Sequence, residues 1–236
     1  MIPLKDDNPT EGRPVVTYFL IGLCVLVFLM ERGSQSYRTG TGELFYSYGL
    51  IPSVLMGHNQ LPQDLYALPA YLTIFSSMFM HGGFMHLIGN MLYMWIFADN
   101  IEDALGQKKF IIFYLLSGVW AAMAQVLIDT SSQVPMVGAS GAIGGVLGAY
   151  LINHPNAKVL VLIHFGFFSQ LIKIKALYVL GFWFVLQFIN SSMMSSEGGG
   201  VAYAAHIGGF ISGMILILFF NKTAKRKTKT MKGPWS

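Results

Sequence analysis

Charge is scarce in this chain. Only 11% of its residues are Asp, Glu, Lys or Arg, about half the share of an ordinary soluble protein. That shortage argues against a soluble reading of the 236 residues. Cysteine is nearly missing: Cys24 stands alone, so no internal disulfide can form. It lies in the first apolar run, where a thiol stays protonated, and so reads as a packing residue rather than a nucleophile. The six histidines lack metal-ligand spacing, and neither a metal nor another cofactor is expected. No internal repeat is visible. A cleavable signal sequence is not evident either: the N-terminus MIPLKDDNPTEGRP is polar, and the run behind it is long enough to span and be retained.

What is present is apolar and arranged in long runs. Hydrophobic residues make up 54% of the chain, the pattern of a polytopic membrane protein. Many of the 26 Gly lie inside those runs, where Gly usually marks close helix packing. Six segments read as membrane helices: 14–30, 83–98, 110–128, 140–153, 174–190 and 201–221. The apolar stretch 158–170, KVLVLIHFGFFSQ, is too short to span beside the fifth segment. It is read as lying in the interface or packed on the bundle. The fold class expected is an all-α, six-helix membrane bundle.

Basic residues orient it. With the N-terminus in the cytoplasm, only Arg32 and Arg38 of the 15 Lys and Arg fall outside. The positive-inside rule therefore puts both termini in the cytoplasm. Residues 1–13 become a cytoplasmic N-terminus, 14–221 the membrane domain and 222–236 a basic cytoplasmic tail. A basic cluster beside a span meets anionic lipid rather than nucleic acid. The outside loop 31–76, with its aromatics and Pro52, Pro62 and Pro69, is expected partly embedded at the outer interface.

The chemistry-bearing stretch is VGASGAIGGVLGAYLI, residues 137–152. Gly141, Gly144, Gly145 and Gly148 fit a packing face. The segment from Ser140 to Asn153 is short, however: 14 residues rise about 21 Å, against a hydrocarbon core of about 30 Å. Anchored at the cytoplasmic face, this helix begins below the outer surface, with Ser140 at its N-terminus. Irregular backbone at that depth survives only inside protein or beside water. Free N–H groups at the helix start would then face a wet pocket, which suits an oxyanion.

A serine nucleophile needs a base. In VAYAAHIGGFISG, His206 sits one to two turns below the outer end of the sixth segment, at a depth Ser140 can share. Gly208, Gly209 and Gly213 would let this helix approach the Gly-rich fourth one. In HGGFMHLIGNMLYMW, His86 and Asn90 are four apart and share a helix face. Asn90 suits either a bond to a neighbouring helix or donation to a developing negative charge. His81, nearer the loop, reads as structural. A transporter or channel is a competing reading, but the chain lacks the matching halves such proteins show.

GASGAIGG around Ser140, AHIGG around His206 and HLIGN at residues 86–90 together resemble the rhomboid proteases, in order, spacing and depth. MIPLKDDNP and IFADNIEDALG extend the resemblance over nearly the whole chain, towards the compact six-span bacterial form. It implies an intramembrane serine endopeptidase without a cofactor, acting on membrane-protein substrates. It implies a bacterial cytoplasmic membrane, with the site towards the outer face. Ser140 would attack the scissile carbonyl and His206 would move its proton, as a dyad. Asn90, His86 and the Ser140 N–H would form the oxyanion hole. Gly138 would allow the turn before the nucleophile, and Gly141, Gly144 and Gly209 would serve helix packing. The fifth segment and the loop 191–200 would form a lateral gate and cap. One position departs: some members carry an aromatic four residues after the nucleophile, where this chain has Gly144. Tyr203 is then the candidate to hold His206. An inactive relative that binds membrane proteins is the alternative, and such relatives typically lack the nucleophile or the base.

Overall fold

A computed structural model of the chain describes residues 1–34, 41–166, 168–193 and 201–223. The chain is mostly helical because lipid offers no partner for backbone N–H and C=O groups, and a helix satisfies them internally. In chain order come β1 (Ile2–Asp6), α1 (Val15–Ser34), α2 (Thr41–Tyr48), α3 (Pro52–Leu55) and α4 (Thr73–Ser76). Then follow α5 (Phe84–Leu105), α6 (Gln107–Ile128), α7 (Ser140–Asn153), β2 (Lys158–Phe165), β3 (Phe168–Lys175), α8 (Ala176–Met193) and α9 (Tyr203–Thr223).

Among the described residues, three helices are long and apolar enough to cross a membrane: Val15–Ser34, Gln107–Ile128 and Tyr203–Asn221. Ser140–Asn153 and Ala176–Ser191 are apolar but shorter. α5 is 22 residues long, but its second half carries Asp99, Glu102 and Asp103. Those acids tie down the N-terminal segment. Buried Glu102 accepts the N–H groups of Val16 (3.0 Å) and Thr17 (2.8 Å) and the Thr17 hydroxyl (2.8 Å). It thereby caps the start of α1, where free N–H groups and the positive helix end favour an anion. Asp103 accepts the N–H groups of Glu11 and Gly12.

The centre of the molecule is α7. Every residue from Gly141 to Tyr150 is buried, and the helix packs against α5, α6 and α9. Glycine makes the α7–α9 approach possible. A Cβ at Gly209 would stand 2.0 Å from the Gly141 carbonyl oxygen, and one at Gly213 would stand 1.9 Å from that of Gly145. The two backbones touch with no side chain between them.

The all-α expectation is corrected. β1, β2 and β3 form an antiparallel sheet in that order. The stretch 158–170, read as lying in the interface or packed on the bundle, belongs to a β-hairpin turning at Gly166 (φ +58). Val159 pairs with Ile174 and Val161 with Ile172. Val159 and Val161 are buried in the main core, while Lys158 pairs with Lys175. Alternation of that kind belongs to a strand with one face covered. The fifth helix accordingly starts at Ala176 rather than at residue 174, because Ile174 and Lys175 end β3. Within the loop read as 31–76, α1 continues to Ser34 and α2, α3 and α4 follow. Of the loop read as 191–200, Ser191–Met193 close α8, and 194–200 lie outside the described residues, as does most of the basic tail.

Candidate active site

Ser140 is the first residue of α7. The approach to it is held by the outer loops. Leu50 and Met136 exchange both backbone hydrogen bonds, at 3.0 and 2.7 Å, and the Gly138 N–H donates to the Ser77 carbonyl at 2.8 Å. Gly138 has φ +129, a conformation that only glycine adopts without strain. A Cβ there would also stand 2.7 Å from the His86 ring. The residue before the helix, Ala139, supplies no side-chain cap. The N–H groups of the first turn are therefore left for something else.

His206 lies in the first turn of α9 and is buried. Its Nε2 is 2.7 Å from the Ser140 hydroxyl oxygen. Its Nδ1 is 2.8 Å from Oε1 of Gln187 on α8, and the Gln187 amide nitrogen donates to the Trp183 carbonyl at 3.1 Å. The Trp183 ring lies 5.8 Å from the imidazole and tilted to it, whereas Tyr203 stands edge-on at 6.1 Å. Tyr203, the candidate to hold His206, thus meets the ring edge-on, while the polar partner of Nδ1 is Gln187. Gly144 has another function: a Cβ there would stand 3.0 Å from the His206 carbonyl oxygen. Gly141 meets the facing α6 in the same way, its Cβ position being 2.6 Å from the Ala121 methyl.

Ser140, His206, His86, Asn90 and Trp183 line one cavity of about 920 Å³. Asn90 is buried, and its side-chain nitrogen has no hydrogen-bond partner, although leaving a buried donor unpaired is costly. The Gly82 N–H donates to His86 Nδ1 at 3.3 Å. In a neutral imidazole the proton then sits on Nε2, making that nitrogen a donor. Asp129 lies on the cavity wall. The Ser131 hydroxyl and N–H, at 2.8 and 3.0 Å, hold its carboxyl below the ordinary range. His81 is wholly buried, with Nδ1 3.2 Å from the Phe79 carbonyl and its ring edge-on to His86 at 5.2 Å.

The arrangement joins a hydroxyl to a ring nitrogen, beside free donors and in a space that can hold water and a peptide. Gln187 and Trp183 were not singled out in the sequence. The Gln187 amide within the apolar run ALYVLGFWFVLQFI was the available signal, since polar groups there need partners.

The family model for the Rhomboid domain matches residues 69–223. The chain is 26% identical over 245 residues to Rhomboid protein 1, mitochondrial, of Saccharomyces cerevisiae, covering 92% of this chain and 67% of that protein. It is 29% identical over 204 residues to Rhomboid protease GluP of Bacillus subtilis, covering 86% and 34%. It is 29% identical over 174 residues to Presenilin-associated rhomboid-like protein A, mitochondrial, of Danio rerio, covering 71% and 41%. The chain thus spans between 34% and 67% of the length of these relatives.

Proposed function

This chain belongs to the rhomboid family, an integral membrane protein in a family that includes proteases, and we propose that it is an intramembrane serine endopeptidase. The observation that supports this most is the 2.7 Å contact between Ser140 Oγ and His206 Nε2. A serine is a weak nucleophile until a base within hydrogen-bond reach takes its proton.

The proposed reaction runs in two halves. Ser140 Oγ bonds to the scissile carbonyl carbon while its proton passes to His206 Nε2. The tetrahedral intermediate collapses, the C–N bond breaks, and His206 returns the proton to the leaving amine. Water then attacks the acyl-serine, losing a proton to His206, which goes back to Ser140 as the acid product departs. Asn90 Nδ2, His86 Nε2–H and the Ser140 N–H would donate to the oxyanion in each half. The unpartnered Asn90 nitrogen supports that role.

The proposed topology has six spans, both termini cytoplasmic and the site towards the outer face of a bacterial cytoplasmic membrane. Residues 14–221 would form the catalytic domain, 1–13 its inner N-terminal segment and 222–236 a basic inner tail. Substrate membrane helices would enter beside α8, with residues 191–200 as the cap, and unwind locally. A helical peptide bond is otherwise shielded by its own ladder.

The test uses purified protein in lipid nanodiscs with a single-span substrate and a fluorophosphonate probe. Cleavage near the outer end of the substrate is expected, with labelling at Ser140. Ser140→Ala and His206→Ala should lose both. Cleavage by Ser140→Ala would overturn the assignment.

A further inference from the structure

The Gln187 amide makes two hydrogen bonds that only one orientation satisfies. Its nitrogen lies 3.1 Å from the Trp183 carbonyl oxygen, which can only accept. The flipped amide would set two acceptors against each other there. The amide oxygen therefore faces His206 Nδ1, at 2.8 Å. An amide oxygen can only accept, so Nδ1 carries the proton. A neutral imidazole has one N–H, which leaves the Nε2 lone pair pointing at Ser140 Oγ, 2.7 Å away. Gln187 is itself buried, at 8% exposure, on a helix whose neighbours Val185 and Phe188 are exposed. An amide at such a position must be satisfied, and both of its polar atoms are.

We propose that Gln187 is a positioning residue. It fixes the tautomer of His206 in which Nε2 can take the Ser140 proton, and its oxygen stabilises the extra Nδ1–H charge once that proton has moved. An amide oxygen thus stands where a carboxylate completes a serine–histidine–aspartate triad. The inference rests on the reading of Ser140 and His206 as nucleophile and base.

The first measurement needs no variant at Gln187. Protein labelled with ¹⁵N-histidine, with the His206 signal assigned from His206→Ala, should show a protonated Nδ1 and a bare Nε2 at neutral pH. The opposite tautomer in the wild type overturns the proposal, whether or not any Gln187 variant folds. Gln187→Leu keeps the side-chain bulk and removes the acceptor. Its kcat should fall roughly tenfold or more with KM within about twofold, and the His206 tautomer should become mixed. Gln187→Glu keeps an acceptor oxygen for Nδ1 and, as the neutral acid, a donor for the Trp183 carbonyl, and should recover part of the kcat. Wild-type kcat and an unmixed tautomer in Gln187→Leu would overturn the proposal. Cleavage by Ser140→Ala would instead sink the protease reading and leave the tautomer result standing.

Discussion

The carbonyl oxygen of His206 lies 3.0 Å from where a Cβ on Gly144 would stand, and the Phe210 N–H nitrogen 3.3 Å from it. α7 at this point faces backbone. An alanine at 144 asks the helices to give by a few tenths of an ångström, whereas one at Gly209 meets the Gly141 carbonyl oxygen at 2.0 Å. Gly144→Ala should therefore cost about 1–3 kcal/mol of stability and Gly209→Ala more. Thermal unfolding in nanodiscs ranks them. Equal stability of the two variants would contradict the close seam.

Asn90 should separate activity from stability. Its nitrogen donor is buried and unpartnered, so Asn90→Ala removes a group that the folded protein does not satisfy. Turnover should fall by roughly 10²–10³-fold if this nitrogen is a principal oxyanion donor. The melting temperature should hold or rise. A parallel loss of both would mean that Asn90 serves packing instead.

Glu102 should act on folding alone. Three donors from Val16 and Thr17 converge on it, and Glu102→Ala orphans all three in a buried place. A loss of roughly 3 kcal/mol or more is expected in chemical or thermal unfolding. Glu102→Gln, which keeps acceptor capacity at one oxygen, should lose less.

Asp6 carries a pH signature. Burial raises its carboxyl above 3.8, with the hydrogen bond from Tyr150 acting against the rise. A folded carboxyl that holds its proton to higher pH than the unfolded one binds more protons when folded. Its contribution is therefore fully present below the unfolded value and is lost as pH rises through the raised one. Asp6→Asn removes this dependence and can still accept from Tyr150. The variant's advantage in melting temperature over the wild type should grow from about pH 4 towards neutrality. An advantage that shrinks over that range would show the hydrogen bond outweighing burial.

How legible these features were differs by residue. The start of α7 at Ser140 could be read from a glycine pattern and a run too short for the bilayer, both local properties. The hairpin could not be read from KVLVLIHF, because a strand covered on one face and carrying Leu160 and Leu162 on the other loses its alternation. FSQLIKIK alternates only over its last four residues, IKIK, and that is the part that could have been read as strand. β1 is five residues in a polar terminus, and nothing local marks it as the strand β2 pairs with. The capping work of Glu102 and Asp103 needs α1 and the N-terminus brought beside them. Gln187 becomes meaningful only when α8 and α9 are adjacent.

The join between sheet and α8 has a mechanical side. β3 runs straight into α8, and the Ala176 and Leu177 N–H groups are tied to the carbonyls of Ala157 and Pro155 at 2.8 and 3.1 Å. That end of the helix is anchored. Gln187 sits eleven residues further along, a lever arm of about 16 Å, so a tilt of about 10° sweeps its amide through about 3 Å. The sweep matches the length of the bond it makes to His206, 2.8 Å. A tilt of that size would carry the amide oxygen out of reach of His206 Nδ1, so the alignment of the imidazole depends on how firmly the sheet end holds α8 upright.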